Sequence, residues 1–159
     1  MKKAMKSVMV FGTFDIIHLG HENMFKQARE FGDFIIAVVA RDDTVKSIKG
    51  RAPLYNESTR MKNLKKSGLA DQVILGEKYD KYAVIKKYKP DVIALGYDQF
   101  AFTYELKKLL IHMNLNTQIQ RLKPYKPEIY KSSIFRLERE CGGLKQLSQP
   151  VILSHNNAI

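Results

Sequence analysis

Residues 7–28 read SVMVFGTFDIIHLGHENMFKQA. A compact, Val-rich apolar run closes at Gly12. After a short interval Met24, Phe25, Ala28 and Phe31 recur at helical spacing. A buried strand, a glycine turn and an amphipathic helix in that order open a strand-helix-strand unit. Two of the four histidines, His18 and His21, stand at the entrance to that helix. They could be core residues, metal ligands or groups that handle a substrate.

Working outward, four more apolar runs follow: DFIIAVVA (33–40), DQVILG (71–76), DVIALG (91–96) and NTQIQRL (116–122). Three of them begin with Asp, and two of those three end in Gly. Helical patterns lie between them. Met61 and Leu64 follow Asn56, a candidate N-cap, and the stretch reaches Gly68. Tyr82, Ile85 and Tyr88 precede Pro90, which must stop a helix. Phe102, Leu106, Leu109, Leu110 and Met113 form a further stripe, and a last helix begins near Ser132 and runs through Arg136 to Glu140. Strands apolar throughout, alternating with helices, predict an α/β fold: a doubly wound, Rossmann-like parallel sheet of five strands with helices on both faces. In such a sheet the ligand lies beyond the carboxyl ends of the strands. GTFDIIHLGH, ARDDTVKSIKGR and GYDQF should therefore open as loops onto one edge.

The chain has 159 residues, enough for one domain with its own core. We expect that domain over 1–141 and a tail of separate character over 142–159, in which Gly142 and Gly143 end the last helix. Lys and Arg outnumber Asp and Glu by 27 to 16, which calls for an anionic partner. FIIAVVA is too short to span a bilayer, so no membrane association is expected. MKKAMKS resembles a signal n-region, but the apolar stretch behind it is broken at Gly12 and Asp15, and no signal peptide is expected. A lone cysteine, Cys141, suits a reducing cytoplasm.

For the histidines, a metal site is poorly supported, because the chain offers only Cys141, His112, His155 and scattered carboxylates besides them. A core role suits polar rings flanking Gly20 badly. A helix N-terminus presents unpaired N–H groups and partial positive charge, and residues three apart share a face. His18 and His21 could therefore meet one bound anion, with Gly20 leaving room for a phosphate.

With Gly12, Thr13, Phe14, Asp15, His18, Gly20 and His21 in place, the motif G-T-F-D-x-x-H-x-G-H resembles the nucleotidyltransferase superfamily that includes the cytidylyltransferases. The resemblance runs from residue 7 to about 122. It implies that a substrate phosphate attacks the α-phosphorus of a nucleoside triphosphate, ATP or CTP, and releases pyrophosphate. By that resemblance His18 and His21 bind the triphosphate and stabilise the transition state. Thr13 and the Phe14 backbone hold phosphate oxygens, and Asp15 orders the loop. Lys46, Lys49 and Arg51 in VKSIKGRAP face the phosphates, with Lys46 a catalytic candidate. Arg60 is either a phosphate or base contact or a surface helix arginine. Asp98 in ALGYDQF accepts hydrogen bonds from ribose or base.

IALGYDQ and RDDTVKSIKGRAPL are similar to the archaeal-type FAD synthases, which transfer AMP to FMN. Cytidylyltransferases for glycerol 3-phosphate or phosphocholine instead carry R-T-E-G-I-S-T-[ST] near the last helix. Here that region is RLKPYKPEIYKSSIFRL, where Arg121, Ser132 and Ser133 offer similar chemistry without the T-E-G-I core. FMN as acceptor would need a flat pocket, for which Tyr97, Phe100, Phe102 and Tyr104 are candidates, although alternate ones should pack their helix into the core. Mg²⁺ is expected to arrive with the triphosphate, and no resident metal site is expected. A homodimer is compatible with the resemblance. Nucleic acid is disfavoured as partner, since no RNA-binding aromatic motif is present.

Overall fold

The computed structural model describes residues 4–140. Its elements run β1 (Ser7–Gly12), α1 (Leu19–Arg29), β2 (Phe34–Val39), α2 (Asp42–Lys49), α3 (Glu57–Ser67), β3 (Gln72–Leu75), α4 (Ala83–Tyr88), β4 (Val92–Leu95), α5 (Ala101–His112), β5 (Gln118–Arg121) and α6 (Ser132–Glu140). The five strands are all parallel, in the order β3-β2-β1-β4-β5. This is the expected doubly wound sheet, with its switch point between β1 and β4. The expected tail over 142–159, with its two glycines, lies outside the described residues.

Alternation along each strand divides the core. Val8 and Val10 join Ala37, Val39, Phe25, Ala28 and Leu64 on one face. Met9 joins Ile36, Val38, Ile93, Val84, Ile85, Leu106 and Leu110 on the other. Helices α1 and α3 thus cover one side, and α4 and α5 the other. Asn56 caps α3 by accepting from the Thr59 N–H at 2.9 Å, while Gly68 ends it with a left-handed φ of 69°.

The aspartates that open three strands have a common task. Oδ2 of Asp33 accepts from the Lys6 N–H, that of Asp71 from Ile35 and that of Asp91 from Ser7. Each carboxylate satisfies a backbone donor at the amino end of the neighbouring strand, where the ladder has run out. The bond from the Ser7 N–H holds the Asp91 carboxyl below the usual carboxylate range.

One expected loop is a helix. Residues 42–49 form α2, with Asp42 and Asp43 in its first turn, Lys46 and Lys49 in its last, and Val45 buried. Charges that match the helix dipole and one buried anchor are enough for two turns. Gly50 then ends it at φ 70°.

Arg60 is the second departure. It is neither a surface arginine nor placed to meet a ligand, for it is 0% exposed. Its Nε donates to the Tyr55 carbonyl, Nη1 to that of Thr13, and Nη2 to both the Ala40 carbonyl and Asp42 Oδ1. Four acceptors from four segments surround one guanidinium. Replacing Arg60 with Ala would strand three carbonyls and open a cavity, so we expect a loss of at least about 3 kcal/mol in urea unfolding. Arg60→Lys, with one point charge for four acceptors, should recover less than half of that loss.

Candidate active site

The loop after β1 is built around Phe14. Its φ of 52° is left-handed, which costs an L-residue about 1–2 kcal/mol. Burial of the ring offsets that cost. The ring lies over Gly12, where a Cβ would come within 2.7 Å of Phe14 Cζ, and packs 5.4 Å from His21 and 5.6 Å from Phe25. Gly12 is thus required by the Phe14 ring. Thr13 gives its carbonyl to Arg60.

Asp15 is buried and faces protein backbone. Its two oxygens accept from the Leu54 N–H at 2.7 Å and the Tyr55 N–H at 2.9 Å. A carboxylate so engaged orders the segment between α2 and α3 and has little left for a nucleotide.

The histidines organise the start of α1. His18 is its N-cap, with Nδ1 accepting from the Gly20 N–H at 3.1 Å. His21 reaches back, its Nδ1 accepting from the His18 N–H at 3.4 Å. This is a capping box with imidazole in both roles. Two consequences follow. Each Nδ1 is an acceptor, so each ring carries its proton on Nε2 and keeps that N–H for another partner. The Gly20 and His21 N–H groups, expected to be free for an anion, are already bonded, to His18 Nδ1 and to the His18 carbonyl. Gly20 is needed for the cap itself, because a Cβ there would lie 2.8 Å from the His18 ring.

The rings stand 4.0 Å apart between centroids. Desolvation lowers the His18 pKa to about 4, and desolvation together with the nearby His18 and Lys49 charges lowers that of His21 to about 3. At neutral pH without ligand both are uncharged donors.

Lys49 stands, exposed, in the last turn of α2. Loss of hydration pulls its pKa below the usual value, and Asp15 and Asp98 oppose that shift. Its charge acts on His21, and the Asp15 and Asp98 charges act on it in turn. Lys46 is exposed one turn earlier in α2. From the far end of the chain, α6 leans in: Ser132 Oγ is 3.4 Å from His18 Nε2, and Phe135 stacks on the His18 ring at 5.3 Å. Ser133 is half-buried beside Ser132 in the same turn. Two arginines latch this helix, Arg136 to the Ala52 carbonyl and Arg139 to the Tyr55 hydroxyl.

Arg121 does not face the histidines. It donates to the Gly96 carbonyl and to Thr103 Oγ1, and its guanidinium lies 4.7 Å from the Phe100 ring centre. Two of the four aromatics expected to line a flat pocket stand open, and the Phe102 side chain lies outside the described residues. Phe100 is 69% and Tyr104 66% exposed, each ring beside a cation, Arg121 or Lys108. Leu106 and Leu110 anchor α5 to the sheet instead. Three contributors went unrecognised in the sequence: Gln99, Arg136 and Arg139. GYDQ pointed to the first, whereas nothing local distinguishes the two arginines from other helix arginines.

A parallel sheet with this switch point, a histidine pair at the first helix and a lysine opposite define a nucleotidyltransferase. The chain belongs to the cytidylyltransferase-like family, whose model matches residues 9–138. It is 36% identical over 132 residues to the FAD synthase of Thermoplasma acidophilum, covering 83% of this chain and 92% of that one. To the FAD synthase of Pyrococcus horikoshii it is 43% identical over 125 residues, 78% of this chain and 82% of the other. Among solved structures it superposes on the lipopolysaccharide core biosynthesis protein of Thermoplasma volcanium with a TM-score of 0.73 at 35% identity, covering 77% of this chain and 100% of that chain.

The cap separates two roles of His18. His18→Ala should lower stability by about 1 kcal/mol, while His18→Asn, which keeps an acceptor for the helix, should stay near wild type in urea unfolding.

Acid offers a second test. Both histidines have a folded pKa below the value of 6.5. Between those values the unfolded chain binds more protons, so stability rises with pH there and is lost as pH falls from 6.5 toward 4. The depressed carboxylates act lower still. The urea midpoint should drop across that window, and His18→Asn should flatten the drop.

Proposed function

We propose that this chain transfers AMP from ATP to FMN, forming FAD and pyrophosphate. A terminal phosphate oxygen of FMN attacks the α-phosphorus of ATP, and the bond from that phosphorus to the pyrophosphate oxygen breaks. The observation that carries the reading is the histidine pair locked at the start of α1, in a chain that resembles FAD synthases over most of its length.

The residues divide the work. His18 and His21 offer Nε2–H donors to the triphosphate and to the charge that grows on the equatorial oxygens. Because the tautomers are set before substrate arrives, little reorganisation is needed during the reaction. Lys49 supplies the positive charge that the neutral imidazoles lack, and Lys46 meets the incoming phosphates at the exposed side of the same helix. Ser132 and Ser133 offer hydroxyls at the start of α6, beside His18. Asp98 accepts from ribose or base across the cleft. Gly12, Asp15 and Arg60 shape the loop, and Thr13 and the Phe14 backbone N–H are left to meet phosphate oxygens.

Among the described residues no group of three or more His, Cys, Asp or Glu is gathered for a metal ion. Donor chemistry of this kind fits Mg²⁺ carried by the triphosphate, since that ion keeps its waters and bonds chiefly to phosphate. When bound it would neutralise phosphate charge. No helix among the described residues is long and apolar enough to cross a membrane.

The decisive measurement mixes the protein with Mg²⁺ and four substrate pairs: ATP or CTP with FMN or glycerol 3-phosphate. FAD and pyrophosphate should form only from ATP and FMN. Turnover of CTP with glycerol 3-phosphate, with FMN ignored, would replace this reading with cytidylyl transfer. His18→Asn and His21→Asn should each cut turnover about a hundredfold or more. Lys49→Ala should raise the KM for ATP more than Lys46→Ala, and both more than Lys86→Ala on α4. Equal kinetics in all three would reduce the α2 lysines to solvated charges.

A further inference from the structure

Strands β1 and β4 pair at Val8–Val92, Met9–Ile93 and Val10–Ala94, and then they part. Past that point Phe11 and Gly12 stay with β2, opposite Val38 and Val39, while Leu95 stays with β5, opposite Arg121. The parting opens the cleft, and past it the register of β1 with β4 does not continue.

Gln99 bridges the two strands there. Its Nε2 donates to the Phe11 carbonyl at 3.0 Å, and its Oε1 accepts from the Gly96 N–H at 2.8 Å. A primary amide carries the donor and acceptor of a peptide group, so one side chain stands in for a missing strand residue. The partners also fix which end is which, because a carbonyl can only accept and an N–H can only donate. The same residue closes the turn that carries Asp98. Its backbone N–H donates to the Gly96 carbonyl at 3.2 Å, and Arg121 binds that carbonyl from the other side at 2.8 Å. Asp98 is held at the turn, with Oδ1 3.4 Å from where a Gly96 Cβ would lie. The Asp98 charge acts on Lys49.

We propose that Gln99 is a positioning residue for nucleotidyl transfer. Its amide sets the separation of β1 and β4 at the cleft mouth and holds the turn that carries Asp98. The histidine loop after β1 and the Asp98 turn after β4 then approach a nucleotide as one rigid pair. This inference rests on the nucleotide-handling reading of that edge, and it adds a residue that touches no reacting atom.

Gln99→Glu tests it. An ionised Glu still accepts from Gly96 but sets a carboxylate against the Phe11 carbonyl, whereas a protonated Glu restores both bonds. At pH 8 the variant should bind ATP about tenfold more weakly than wild type and show a similarly raised KM, with kcat nearly unchanged. On acidification to pH 5.5 the ratio of variant to wild type should move back toward one. Gln99→Met, of similar length and never charged, should show the weaker binding with no such recovery, and it serves in place of Gln99→Glu should that variant fail to fold. ATP affinity is read by calorimetry, which needs no acceptor. A wild type that binds ATP but makes no FAD would sink the proposed reaction while leaving this comparison to decide Gln99. The proposal is overturned if the folded variants bind ATP like wild type and differ only in melting temperature. It is equally overturned if kcat falls while ATP affinity and KM stay put, since that places Gln99 at the reacting atoms.

Discussion

A single guanidinium holds the ligand edge together. Arg60 gathers the Thr13, Ala40 and Tyr55 carbonyls and one Asp42 oxygen. These acceptors come from the histidine loop, the end of β2, the start of α2 and the segment before α3. Burying an arginine with one carboxylate partner costs several kcal/mol, and hydrogen bonds to every accessible side of the fork offset the cost. Asp42 itself is 38% exposed at its side chain, so its charge is shared with water. The arrangement contributes shape more than net stability. Three loops that would otherwise move separately are tied to one planar group.

Carboxylates extend the same principle over the sheet. Asp33, Asp71 and Asp91 satisfy backbone donors at the amino edge, Asp15 does so at the ligand edge, and Glu57 takes the Asp42 N–H and Arg41 at the start of α2. Two of these acids also pair with arginines, Asp71 with Arg29 and Glu57 with Arg41.

The histidines show how a cap can serve chemistry. Had either ring turned its Nε2 toward the helix, its N–H would sit on Nδ1 and point elsewhere. The capping box sets the tautomers, stacking on Phe135 limits rotation of His18, and lost hydration keeps both rings neutral until an anion arrives. Donors held in place in a poorly hydrated site act more strongly than the same groups in water.

The amino-acid sequence alone was enough for the five buried strands, their alternation with helices in a doubly wound sheet and the neighbouring of His18 and His21 at the first helix. These depend on periodicity and on glycine, asparagine and proline signals that act within a few residues. It was not enough to show that 42–49 would be a helix, since a two-turn segment with one buried residue leaves little periodic trace. Nor could it reveal what the polar side chains bind. Arg60 reaches Thr13 across 47 positions, Asp15 reaches Tyr55 across 40, and Gln99 reaches Phe11 across 88. A hydrogen bond is set by which backbone groups the fold leaves unpaired and brings within 3 Å or so, and that is known only once the strands have been laid side by side.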